Sequence, residues 1–175
     1  MKHMVEKREL EPLADRLADV LCEHLGAHRE LAEVLEEKEQ AIVGLKLEEL
    51  DGIVERERSL INRIGETEAS RLAVTGEIGT AIEHPGPATL RLSGIVPYVS
   101  PELGDTLIDL REELRTVADR IAKTGDRNRT LIGHSLDHIH IFLSVLSGVD
   151  PTIKHYSPHG ELAQSTHPAV LDRRF

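Results

Sequence analysis

Apolar residues recur at alternating intervals of three and four from near the start of the chain: Leu10, Leu13, Leu17, Val20/Leu21, His24, His28, Leu31, Val34/Leu35, Lys38, Ile42 and Leu45. That spacing is the seam of a long amphipathic helix. It predicts a helix over residues 6–46, a rod of about 60 Å at 1.5 Å per residue. A second stripe, Leu47, Leu50, Ile53/Val54, Leu60/Ile61, Ile64, Leu72, Ile78 and Ile82, predicts a helix over 47–83. Gly52, Gly65, Gly76 and Gly79 fall within it, and each costs about 0.5–1 kcal/mol relative to alanine in a helix. This second helix is therefore expected to depend on packing against the first, with fraying in its last turns.

His84-Pro-Gly-Pro87 stops the pattern, because proline removes a backbone donor and restricts the residue before it. Residues 84–100 read as a connector with one helical turn over 88–94. Its Leu90, Leu92, Ile95 and Val96 are expected to cover an end of a bundle. Ser100-Pro101-Glu102 has the chemistry of a helix start: a capping hydroxyl, a proline at the first helical position and an acid near the positive end of the helix dipole. The last stripe is Leu103, Leu107, Leu110, Leu114, Val117, Ile121, Asn128, Leu131, Ser135, Ile139, Phe142 and Leu146. It predicts a helix over 101–148, closed by Gly148 and Asp150-Pro151. Lys123-Thr-Gly-Asp126 is a candidate turn that would split this helix, although the heptad phase continues across it. Residues 151–175 carry no periodicity and read as a flexible tail. The predicted fold is all-α: an elongated antiparallel helical bundle or coiled coil of three long helices within residues 1–150, with a proline-rich connector and a flexible C-terminal tail.

Composition narrows the function. Aromatics are 2% of the 175 residues, so Leu, Ile, Val and Ala must do the packing, which suits narrow helical seams better than an aromatic-lined pocket. The formal charge of −10 argues against nucleic acid and against an anionic membrane surface. A lone Cys22 permits no internal disulfide, so a reducing cytoplasm is expected. The first residues contain no apolar stretch, so no signal peptide is expected. No apolar run approaches the roughly 18–20 residues of a membrane span.

Ten histidines raise the question of a metal. His24 and His28, like His134 and His138, are four apart and share a helix face. His24 and His28, however, lie on the apolar stripe and read as polar seam residues, and His134, His138 and His140 do not share one face. No phosphate-binding glycine loop, nucleophile elbow or cysteine-rich zinc pattern occurs. No metal, cofactor or catalytic group is expected. Asn128 on the last stripe has two readings: a polar residue that sets register, or a hydrogen-bond partner for a bound chain. Leu136, Ile139, Ile141, Phe142, Leu143, Val145 and Leu146 make the end of the last helix apolar around more of its circumference than one seam needs. Such a segment is either enclosed or awaiting a partner.

Several of these features occur in an order that resembles the FlgN family of flagellar type III export chaperones, from about Leu10 to Gly160. They are Leu31 to Leu35, Lys38-Glu-Gln-Ala-Ile42, Leu47, Leu50, Glu57, Leu60, Arg63-Ile64, Glu68 and Arg71. Thr89-Leu-Arg91 follows in the connector, then Leu110-Arg111, Asn128, Leu131-Ile132, Leu136, Leu143 and Leu146, and Tyr156 with Gly160 four residues on. The resemblance implies a cytoplasmic, non-enzymatic chaperone. It would bind C-terminal helical segments of the hook-associated, hook–filament junction proteins, prevent their premature assembly and deliver them to the export gate. It implies a client-binding surface at Asn128, Leu131, Ile132, Leu136, Ile139, Phe142 and Leu143, and docking on the cytoplasmic domain of the gate through Tyr156 and Gly160. It implies no nucleic-acid partner and no direct membrane insertion. The alternative reading is a structural coiled-coil protein that self-associates through its heptad seams.

Overall fold

The computed structural model describes residues 7–87 and 90–147. Those residues form an all-α fold: α1 (Lys7–Val43), α2 (Leu47–Ala81), α3 (Leu92–Ile95), a 3-10 turn (Val96–Tyr98) and α4 (Pro101–Ser147). The all-α class is as expected; the described residues hold four helices, three of them long and a short one in the connector. The chain divides into two compact units, the first ending at Arg129 and the second beginning at Thr130. The helix α4 is assigned over Pro101–Ser147, and the candidate turn at residues 123–126 does not form.

In the first unit α1 and α2 are antiparallel, and their partners show why. Arg16 meets Glu77, Glu30 meets Arg63 and Lys38 meets Glu57, so advancing along one helix means retreating along the other. The helices α1 and α4 are parallel: Arg29 pairs with Glu113, Glu36 with Arg120 and Glu39 with Arg127, at near-constant sequence separations of 84, 84 and 88. Such pairs are mostly exposed and each is worth at most about 1 kcal/mol. Their use here is to favour one register among several that leucine spacing alone would allow.

Burial supplies the stability. One apolar cluster gathers Leu10, Leu17, Leu21 and Leu25 of α1, Val74 and Ile78 of α2, and Leu107 and Leu110 of α4, with Leu90, Ile95 and Val99 from the connector. A second holds Leu31, Val34, Leu35 and Ala41 with Ile53 and Leu60. The connector is thus part of the core. Its helical turn lies at 92–95, later than the expected 88–94, with Ala88 and Thr89 outside the described residues.

Two boundaries differ from the sequence expectation for one reason. The helix α1 ends at Val43 rather than 46 because the Leu45 N–H donates to the Ile42 carbonyl and the Lys46 N–H to the Ala41 carbonyl. This is a Schellman turn, in which the residue after the cap is left-handed, and Leu45 has φ 53°. Its side chain is 74% exposed, so it does not extend the seam. The helix α2 ends at Ala81 by the same device, with Glu83 at φ 54° and the His84 N–H donating to the Gly79 carbonyl. The last turns of α2 are helical and packed, with Val74, Ile78 and Gly79 buried. Gly79 is required there, because a Cβ would lie 2.6 Å from Pro87 Cα.

The seam of α2 is also more polar than the predicted stripe. Leu47, Val54, Ile61 and Leu72 are exposed, while Thr67 and Val74 are buried. The true line runs through Ile53, Glu57, Leu60, Ile64, Thr67, Arg71, Val74 and Ile78, at alternating fours and threes.

Candidate functional site

The part of α4 in the first unit carries its polar residues inward. Thr124 is 1% and Asn128 3% exposed. Asn128 Nδ2 donates to the Leu35 carbonyl at 2.8 Å, while its Oδ1 is buried with no partner among the described residues. A buried amide held by one backbone carbonyl fixes the position of α4 along α1, which is the register role. Thr124 lies on the same line, between Ile121 and Asn128. The predicted stripe passed over it because threonine does not read as a core residue, although the spacing of three and four required a side chain at that position.

The second unit presents a different surface. Leu131 is half-buried, and beyond it Ile132, Leu136, Ile139, Ile141, Phe142, Leu143, Val145 and Leu146 are 40–71% exposed. Ile132, Leu136, Ile139, Leu143 and Leu146 are spaced four, three, four and three. At 3.6 residues per turn they fall within about 80° of one another on the helix. Phe142 and Val145 widen this strip on one side. The expected site residues from Ile132 to Leu143 are therefore brought together on one exposed strip, whereas Asn128 is buried. Val145 and Leu146 extend the strip beyond the expected set. Tyr156 and Gly160 lie outside the described residues. An exposed apolar surface of this kind has no catalytic chemistry. It can bind apolar side chains of another helix, and it holds neither acid nor base in a buried setting.

The two seam histidines form a compact polar layer in the first unit. The hydroxyl proton of Thr67 goes to the carbonyls of Arg63 and Ile64, each at 3.1 Å, so the imidazole of His24 donates from Nδ1 to Thr67 Oγ1 at 2.6 Å. His28 donates from Nδ1 to the His24 carbonyl at 2.8 Å, and the two rings meet edge to face with centroids 4.3 Å apart. Burial pushes the His24 pKa below its ordinary value, helped by the neighbouring His28 and Arg71 and opposed by Glu68. Glu68 is held below the usual carboxylate range, mainly by its hydrogen bonds from Arg71. Both histidines spend Nδ1 on hydrogen bonds within the bundle. Among the described residues no group of three or more His, Cys, Asp or Glu is placed to hold a metal ion, and no helix is long and apolar enough to cross a membrane.

A family model described as FlgN protein matches residues 4–164. Neither the curated proteins nor the solved structures include a match to the chain.

Proposed function

The chain belongs to the FlgN family, a family of flagellar export chaperones rather than enzymes, and from that premise we propose that it binds C-terminal helical segments of hook–filament junction proteins. The client helix would lie along Ile132, Leu136, Ile139, Phe142 and Leu143, with Leu131 at the start of the strip. Asn128 would set the helix that carries it. The observation behind this reading is the strip itself: eight large apolar side chains between Ile132 and Leu146 stand exposed on one helix. Being 40–71% exposed, each has roughly half of the about 1.5–3 kcal/mol of full burial still to gain, so an amphipathic helix laid along the strip has a large apolar gain available. While covered in this way, a client segment cannot assemble with its neighbours in the filament. Delivery then requires docking on the cytoplasmic domain of the type III export gate, and Tyr156 and Gly160 are the proposed docking residues. The working compartment in this reading is the cytoplasm.

A second reading rests on the same strip. Its heptad spacing also suits a second copy of the chain, closing as a coiled coil. Titration of the full chain with a purified junction protein, followed by calorimetry, separates the two. Ile139→Asp and Phe142→Ala should weaken binding about tenfold or more, an effect of about 1.4 kcal/mol, while helicity by circular dichroism stays unchanged. Loss of helicity equal to that of Leu114→Asp would mean that the strip is core. A stable dimer that buries Leu136–Leu146 would favour self-association. In the same set, Tyr156→Ala should bind client normally and export it poorly, and normal export would remove the docking role.

A further inference from the structure

The first unit contains a groove of about 760 Å³ walled by α1, α2, the connector and α4. Its apolar lining includes Leu17, Leu21, Leu72, Leu92 and Leu114, and Leu72 is 46% exposed. Its charged lining is entirely basic: Arg71, Arg91, Arg111 and Arg115, with His24 and His28 beside them. No Asp or Glu lines it, although the chain has 31 acidic residues against 21 Lys and Arg. A basic groove on an acidic protein is not what the overall charge would produce by chance placement.

The pairing of the arginines carries the argument further. Arg71 and Arg111 are held by Glu68 and Glu112. Arg91 and Arg115 make no ion pair with any described residue, whereas every other arginine with a described side chain makes one. Both of these guanidinium groups line this groove, Arg115 with the Glu112 carboxylate acting on it from beyond contact distance. Thr75 lines it too. It is 3% exposed and its hydroxyl makes no hydrogen bond to a described residue, while Thr67, Thr80, Thr106 and Thr116 each bond the carbonyl one turn back.

We propose that this groove binds an acidic amphipathic segment of a partner protein, with carboxylates on Arg91 and Arg115 and aliphatic side chains on the leucine floor. A guanidinium presents a planar fork matched to a carboxylate. An inorganic anion would satisfy the arginines and leave the leucines bare, and an apolar segment would do the reverse. An amphipathic acidic segment satisfies both, and Thr75 is free to bond its backbone. This surface is separate from the strip on the end of α4 and does not depend on the reading given for it.

The test uses the full chain and two labelled peptides, one an amphipathic helix of Leu and Glu, the other its Leu and Gln counterpart, followed by fluorescence anisotropy. The Leu/Glu peptide should bind at least about tenfold more tightly and lose that advantage at high salt. Arg91→Ala with Arg115→Ala should remove about tenfold of the affinity, and both side chains are exposed, so the fold should survive. The corresponding double lysine variant should recover part of the loss. Ile139→Asp should have no effect on this peptide. Equal binding of the two peptides, indifference to the double alanine variant, or dependence on Ile139 would each overturn the proposal. So would sedimentation as a dimer that excludes the Leu/Glu peptide, because the occupant would then be a second copy.

Discussion

Leu107, Leu110, Leu114 and Val117 on α4 sit in or against a core cluster with α1, α2 and the connector, whereas Leu136, Ile139, Phe142 and Leu143 on the same helix are more than half exposed. Both stretches are built from the same residue types at the same alternating spacing. Hydrophobic periodicity therefore specifies a helix face and says nothing of whether the face is covered in the free chain. In the first stretch the partner is within the fold, and its register is marked by exposed ion pairs and by Asn128. In the second the apolar side chains stand exposed. The first stretch contributes burial to the fold, and the second leaves its apolar face exposed.

The sharpest way to break this comparison is to damage both stretches equally. Leu107 is 0% exposed, and Leu107→Ala should cost about 2–5 kcal/mol by lost burial and a residual cavity. Phe142→Ala removes more carbon yet should change stability by no more than about 0.5 kcal/mol. Urea unfolding followed by circular dichroism measures both. Similar losses would show that the strip is buried in solution and that the two stretches do not differ.

Asn128 stands at the junction and tests where one role gives way to the other. Asn128→Ala loses the bond to the Leu35 carbonyl and leaves a gap, a loss of about 1–3 kcal/mol. Asn128→Leu should be much milder: like alanine it removes the amide with its unpartnered Oδ1, but its side chain fills the gap that alanine leaves. If Asn128→Leu keeps its stability but binds a junction protein several-fold more weakly, Asn128 belongs to the binding surface. If binding is unchanged, its role ends at register. Calorimetry beside urea unfolding distinguishes these outcomes.

Much of this division could be read in the sequence. The seam of α1 and the start of α4 were legible because leucine spacing and Ser100-Pro101-Glu102 are local signals. The strip was legible as apolar residues in excess of one seam. The end of α1 was not, since Leu45 is a good helix former and only the Schellman hydrogen bonds place it in a left-handed turn. The seam of α2 was hidden because Glu57, Thr67 and Arg71 occupy it, each answered by a partner: Lys38 or His24 on α1, or Glu68 one turn away. Polar residues that solve their burial in pairs look like surface when read singly. The basic groove was out of reach for a related reason: its walls come from four separate stretches of chain.

Proton uptake by His24 separates the two stretches by pH. Its folded pKa lies below the ordinary value of 6.5, chiefly through burial, so the unfolded chain takes up a proton first as pH falls. The stability His24 contributes is complete above about pH 6.5 and declines as pH drops toward its folded pKa, because the unfolded state then binds more protons. Glu68, held low by Arg71, acts in a separate window, below the ordinary carboxylate value. Between about pH 7.5 and about pH 5.5, urea unfolding should therefore show a smaller loss for His24→Gln than for the unsubstituted chain. Amide protection should fall around Thr67 and the facing turns of α1, with the change along Leu136–Leu146 much smaller. Equal pH slopes for the two proteins would mean that His24 is not held neutral by the bundle. A matching loss along the strip would mean that the two stretches of α4 open as one.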